Sequence, residues 1–198
     1  MNFNEWKQLA EEGKAEAQYN LGLMYSLGKD IPRNDPEAVK WYLRAAQQGF
    51  AEAQTNLGLM YGKGQGVEPN FNEAVKWYRL AAEQGLAQAQ HNLGVMYGRG
   101  QGVAKDFFEA LWWFKLAAEQ GYGQAQYNLG LMYSRGEGTS IDYKEALRWY
   151  LLSAEQGISG SQSNLGLMYE KGLGVEQDYV EAHKWFNIAG VNGNTTGK

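Results

Sequence analysis

The side chains that could do chemistry are few and poorly spaced for it. His91 and His183 are the two imidazoles, and cysteine is absent, which excludes a thiolate zinc site, a disulfide framework and a cysteine nucleophile. The histidines fall in different columns of the third and fifth copies of a repeated pattern, so their spacing prepares neither a catalytic triad nor a metal pair. Gly64-Gln65-Gly66 invites comparison with a phosphate-binding loop. A dinucleotide fingerprint must follow a strand, however, and a Walker loop needs Gly-Lys-Ser/Thr; the sequence has neither. Ser26-Leu27-Gly28-Lys29 has the Ser-x-x-Lys spacing of penicillin-recognising enzymes without a Lys-Thr-Gly partner. A glutamate precedes an alanine in every copy (Glu37, Glu73, Glu109, Glu145, Glu181), and five equivalent carboxylates at helix starts read as caps rather than as general acids. The expectation is no catalytic residue, no metal and no cofactor. The alternative is an all-helical hydrolase using Glu and His side chains.

These residues are positioned by a 36-residue period, which starts at Ala15, Ala51, Ala87, Gly123 and Ser159. Each copy contains Gln-x-Asn-Leu-Gly-x-Met-Tyr, a Gly-containing loop and Glu-Ala-x-x-Trp-Tyr/Phe. Met24, Met60, Met96, Met132 and Met168 share one column, and Trp41, Trp77, Trp113, Trp149 and Trp185 share another. In the second copy Ala53, Gln54, Leu57, Gly58 and Tyr61 follow helical spacing and predict a first helix, A. Ala74, Trp77, Tyr78, Ala81 and Ala82 likewise predict a second helix, B, buried along one face. Small Gly58, Ala74 and Ala81 let the helices approach while the aromatic rings fill the space between them.

The punctuation agrees with this. Gly64-Gln65-Gly66-Val67, Gly100-Gln101-Gly102-Val103 and Gly172-Leu173-Gly174-Val175 end helix A, where glycine supplies positive φ. Asn70 with Glu73, Asp106 with Glu109, Asp142 with Glu145 and Asp178 with Glu181 have the spacing of a capping box at the start of helix B. Gly49, Gly85, Gly121, Gly157 and Gly193 are expected to close helix B as left-handed caps. The first copy reads Leu27-Gly28-Lys29-Asp30-Ile31-Pro32 in place of Gly-x-Gly-Val, and a different loop path is expected there. Gly190 and Asn192 in the fifth copy, where the others carry Ala and Gln, are expected to loosen the last helix.

The Leu-Gly-x-x-Tyr of helix A, the Gly-x-Gly-Val loop and the Ala-x-x-Trp-Tyr/Phe-x-x-Ala-Ala-x-x-Gly of helix B resemble the Sel1-like repeat, a longer relative of the tetratricopeptide repeat. The resemblance implies an all-α, right-handed α/α solenoid of five helix-turn-helix repeats. Their bounds are 15–50, 51–86, 87–122, 123–158 and 159–194, preceded by an N-terminal capping helix in 1–14 and followed by a tail in 195–198. It also implies a non-catalytic scaffold or adaptor that binds a protein or extended peptide on the concave side lined by the A helices.

On that side lies the row Asn20, Asn56, Asn92, Asn128 and Asn164, identical in every copy although mid-helix Asn has poor propensity. Two readings stand together: hydrogen bonds within the scaffold, or amides that hold a peptide backbone. Tyr19, Thr55, His91, Tyr127 and Ser163 form a variable column, from which Tyr19, His91 and Tyr127 are candidate contacts. Lys63, Arg99, Arg135 and Lys171, in register with Leu27, form a basic ladder suited to an acidic or C-terminal carboxylate-bearing peptide. The same cations also complement a helix C-terminus. Trp112 stands in the column of Lys40, Lys76, Arg148 and Lys184, either packed against Phe108 or exposed as a contact.

With 18 basic and 22 acidic residues the net charge is −4, which gives no field for a nucleic-acid backbone or an anionic membrane, and no apolar run approaches the ~20 residues of a membrane span. Nucleic acid and membrane are therefore not expected partners. The sequence as written begins without a secretory leader, so a cytoplasmic location is expected unless a leader has been removed. At the other end Ala182, Trp185, Phe186 and Ala189 lack a following A helix and are expected to be uncovered, with helix B finishing at Asn192-Gly193. Self-association through that C-terminal face, as a structural spacer, is the third reading.

Overall fold

The computed structural model describes residues 1–28 and 30–195; Lys29 and the tail residues 196–198 lie outside the described residues. Among the described residues there are eleven α-helices and no strand. α1 (Phe3–Glu11) precedes five A/B pairs: α2 (Ala15–Leu27) with α3 (Asp35–Gln47), α4 (Ala51–Lys63) with α5 (Phe71–Glu83), and α6 (Ala87–Arg99) with α7 (Phe107–Glu119). The remaining pairs are α8 (Gly123–Arg135) with α9 (Tyr143–Glu155), and α10 (Ser159–Lys171) with α11 (Tyr179–Thr195).

The helices gather into two compact units, Met1–Lys105 and Asp106–Lys198. In the first, α2 packs on α1 and α3, α4 on α3 and α5, and α6 on α5. In the second, α8 packs on α7 and α9, and α10 on α9 and α11. The internal helices α2–α5 and α8–α10 thus pack on a sequence neighbour at either side, the arrangement a single helix pair cannot supply. The core of the first unit joins Tyr42, Ala53, Leu57, Met60 and Trp77; the second repeats it with Ala146, Tyr150, Leu165 and Met168. α1 carries a complete capping box, Asn2 with Glu5, and buries Ala10 against α2 and Trp41.

Close approach is built from glycine against aromatic rings. A Cβ on Gly58 would stand 2.8 Å from the Tyr78 ring, and one on Gly130 2.6 Å from Tyr150. The second loop glycine has a different duty. Gly102 has φ +71 and its missing Cβ would fall 2.3 Å from the carbonyl oxygen of Phe71, the first residue of the preceding B helix. That makes it a contact between repeats. Asp30 occupies the equivalent place in the first repeat with φ 65. The carbonyl of Tyr25 accepts from Asn34 N–H just as Tyr61 accepts from Asn70. The described ends of this loop therefore follow the same path as the others, contrary to the expectation of a different one. A side chain fits at Asp30 because α1 has nine residues where α3 has thirteen, and it lacks the first turn against which the glycine packs.

One further expectation is corrected. Gly193 is not a left-handed cap, because α11 continues through it to Thr195, whereas Gly49, Gly85, Gly121 and Gly157 all have positive φ. Asn192 still makes the rung that Gln makes in other copies, its Nδ2 donating to Gln162 Oε1 at 3.0 Å.

Candidate functional site

The caps that aim the B helices are half of what the spacing suggests. Asn70, Asp106, Asp142 and Asp178 each accept the backbone N–H of the glutamate three residues on, but the reciprocal bond is found only in α1 among the described residues. The N-cap N–H groups of Asn70, Asp142 and Asp178 go instead to Tyr61, Tyr133 and Tyr169 carbonyls. The glutamates are thereby released to pair with Lys40, Lys76, Arg148 and Lys184. In the third repeat Glu109 accepts from Trp113 Nε1 at 3.2 Å, while the buried indole N–H groups of Trp77 and Trp149 have no partner.

The asparagine row is half-buried. Asn56 stands near the hydroxyls of Tyr19 and Tyr42 and opposes the upward push of burial on their pKa, and Tyr42 Oη lies 3.0 Å from Ser26 Oγ. Asn164 meets Tyr150 in the same way, with Ser134 Oγ 3.2 Å from the Tyr150 hydroxyl. Burial pushes the Tyr42 and Tyr150 hydroxyls above the ordinary phenol range, and the serine hydrogen bonds pull only part of the way back. Asn20 Nδ2 donates to Glu16 O, Asn92 Oδ1 lies 3.3 Å from His91 Nδ1, and Asn128 is half-buried.

The variable column is drawn into packing. Tyr19 lies 5.0 Å from the Phe50 ring and 6.0 Å from Tyr42, Tyr127 lies 6.2 Å from Tyr150, and Thr55 is fully buried. His91 is half-buried, and its burial lowers the imidazole below its usual range. His183 is exposed, with Nδ1 3.0 Å from Asn187 Nδ2.

The basic ladder is exposed throughout: Lys63, Arg99, Arg135 and Lys171 each end an A helix, and none forms an ion pair among the described residues. Lys63, Asn92 and Arg99 line one groove of about 270 Å³ with Tyr78, Leu59 and Val95. A second groove of the same volume, one repeat earlier, is lined by Asn56, Tyr42, Leu59, Leu27, Arg33 and Asp35. Asn20 and Leu27 line a smaller one beside Trp6 and Asp30. No group of three or more His, Cys, Asp or Glu side chains is placed to hold a metal among the described residues.

A glutamine ladder escaped the sequence reading. Gln18, Gln54, Gln90, Gln126 and Gln162 are buried in the A helices, and each Nε2 donates to the carbonyl of a preceding helix: Ala10, Ala46, Ala82, Ala118 and Ala154. Gln48, Gln84 and Gln156 then donate to Gln18, Gln54 and Gln126 at 2.7–2.8 Å. The invariance of this column within the chain was the available signal; the partners, eight and thirty residues away, were not legible.

The repeat seen in this geometry coincides with a known one. The family model described as Sel1 repeat matches residues 15–50, 51–86, 87–122, 123–158 and 159–194. The chain belongs to the Sel1 repeat family.

Among solved structures, the chain is 44% identical to a protective antigen with an SLR fold from uropathogenic Escherichia coli strains, with a TM-score of 0.94. The match covers 98% of this chain and 41% of that one, so the chain spans about two fifths of the antigen's length. A Sel1 repeat protein from Oxalobacter formigenes is 41% identical over 93% of this chain and 73% of its own, with a TM-score of 0.87. An immunity protein from Pseudomonas aeruginosa, 20% identical over 99% of this chain and 74% of its own with a TM-score of 0.63, shares the fold. No curated protein matches the chain. Sel1 repeats generally mediate protein–protein interaction, and the family is generally a non-catalytic scaffold. No helix among the described residues is long and apolar enough to cross a membrane.

Proposed function

We propose that this Sel1 repeat chain is a non-catalytic adaptor that takes an extended peptide along its A helices, with the acidic groups or terminal carboxylate of that peptide met by the basic ladder. The observation that carries the reading is the groove shared by Lys63, Asn92 and Arg99, in which neither cation is neutralised by an ion pair. Guanidinium and ammonium groups without carboxylate partners favour an anionic ligand, and an amide between them can both donate to and accept from a peptide backbone. Arg135 and Lys171 hold the same repeat position in the second unit. Tyr19 and Tyr127 are engaged in ring contacts with Tyr42 and Tyr150 and His91 is half-buried, so these three are assigned a smaller part in the contact than the cations.

The test is titration with a Glu-rich peptide carrying a free C-terminus, and with its amidated and Lys-rich counterparts. The Lys63→Ser/Arg99→Ser/Arg135→Ser variant should weaken binding of the acidic peptide while retaining the helical circular dichroism. Equal affinity for the triple variant, or preference for the basic peptide, would overturn the proposal.

A second reading is favoured by the face of α11. Phe186 is 37% exposed and Trp185 half-buried, whereas Tyr150 and Trp149 in the equivalent columns are buried; Ala182 and Ala189, expected to be uncovered, are buried. Concentration-dependent association in sedimentation, abolished by Phe186→Glu, would establish end-to-end assembly; a monomer at all concentrations would dismiss it.

A further inference from the structure

The third repeat breaks the pattern of the B helices at one exposed place. In the other four repeats the residue three positions after the helix-start glutamate is a cation, and the pair closes within the helix: Glu37 with Lys40, Glu73 with Lys76, Glu145 with Arg148 and Glu181 with Lys184. Lys76 also lies 5.4 Å over the Trp77 ring, and Arg148 lies 4.5 Å over the Trp149 ring. The repeat thus contains a small receptor for a cation, a carboxylate beside an indole face, which its own side chain fills.

In α7 the cation is replaced by Trp112. Glu109 is left with no cation among the described residues; Oε2 accepts from Trp113 Nε1, and Oε1 has no hydrogen-bond partner there. Trp112 meets Trp113 edge-on, with centroids 4.3 Å apart and ring planes at 73°, and remains 52% exposed. Phe108, one helical turn earlier, is 75% exposed. Residues 108, 109 and 112 share one side of the helix, because positions three and four apart are neighbours on its surface. The intramolecular cation is missing; the carboxylate remains, the Trp113 ring is met by Trp112, and Trp112 presents its own exposed ring on the same side of the helix.

We propose that the exposed face of α7 is a docking site for a basic segment of a partner protein, with an Arg or Lys side chain stacked on Trp112 and paired with Glu109. An apolar partner could cover Phe108 and Trp112 equally well, but it would bury the Glu109 charge with no cation beside it and only the Trp113 indole N–H as donor, which is unfavourable. A cationic side chain removes that conflict and uses the aromatic face at the same time. The components are those of the Arg148–Glu145–Trp149 group, a cation, a carboxylate and an indole, with the cation supplied from outside the chain and the exposed Trp112 ring in place of the buried one.

The experiment uses the full chain with 15N-labelled indoles, titrated with acetyl-Arg-Arg-Arg-amide; acetyl-Ala-Ala-Ala-amide and maltose are the neutral probes. Trp112→Lys restores the Glu–Lys pair of the other repeats, and Trp112→Ala removes the ring without adding charge. The Trp112 indole resonance is identified by its loss in both variants. The expected result is a saturable shift of the Trp112 and Trp113 indole resonances with the arginine peptide alone. The Trp113 shift should be lost in both variants, and affinity should fall several-fold in Glu109→Gln and in high salt, as a charge-assisted contact requires. The proposal is overturned by the absence of a saturable shift, by equal shifts with tri-alanine or maltose, or by an unchanged Trp113 response in either variant.

Discussion

Replacing Gly102 and Gly85 by alanine separates two demands that glycine meets in this fold. Gly85 follows α5 with φ +91 and nothing within 4 Å of where a Cβ would be. Gly85→Ala therefore meets only the left-handed backbone penalty, about 1–2 kcal/mol, offset by about 0.4–1 kcal/mol from the stiffer unfolded chain. A net loss of about 0.5–1 kcal/mol is expected from these two terms. Gly102 has φ +71, so the same terms apply, but its Cβ would stand 2.3 Å from Phe71 O, 2.5 Å from Phe71 C and 2.9 Å from Asn72 N. These are backbone atoms of the first turn of α5 and cannot rotate away, so one of the contacting segments must move. Overpacking of that kind costs about 1–3 kcal/mol more. The measurement is urea unfolding followed by far-ultraviolet circular dichroism, fitted with nearest-neighbour coupling between repeats because tandem repeats need not unfold as one unit. Gly102→Ala should unfold at distinctly lower urea than Gly85→Ala. If the two variants agree within about 0.3 kcal/mol, comparable to the usual scatter of such measurements, the second loop glycine is not an inter-repeat contact and the reasoning fails.

Gln54→Leu should cost about 1–3 kcal/mol, because it removes two hydrogen bonds between helices, one to the Ala46 carbonyl and one from the Gln84 amide, each of which keeps a second partner, and urea unfolding would read it. His91 has a folded-state pKa lowered by burial, so its contribution is fully present above the unfolded value of 6.5 and is lost as the pH falls below it. Melting temperature should therefore drop on acidification from pH 7.5 to 5, and His91→Tyr, which installs the residue found at Tyr19 and Tyr127, should remove that part of the slope; an identical slope in the variant would contradict it. Amides in α11 should exchange with solvent faster than those in α9, since Phe186 and Trp185 are less covered than Tyr150 and Trp149; equal protection would show that coverage by α10 alone suffices.

The sequence by itself determined the eleven-helix order, the position of each loop and the columns that form the core. These are local properties: a 36-residue period, helical spacing of apolar residues and glycine or Asx at helix ends act within a few residues of where they are written. The exposed basic column was legible for the same reason, since a helix end is set by its own turn. Tertiary stacking decided the rest. Glu73 and its equivalents turned from capping to pairing with cations because the N-cap amides found tyrosine carbonyls across the loop. Asn56 and Asn164 turned toward tyrosine hydroxyls, Gln54 became a rung between helices, and Asp30 took glycine's place where α1 is short. α11 ran on through Gly193, which the periodic pattern marked as a stop. For the cap amides, the asparagines and the glutamines the partner lies eight, nine, fourteen or thirty residues away, at a distance that one-dimensional periodicity does not encode. Only the packing of one helix pair on the next brings such groups within hydrogen-bonding reach.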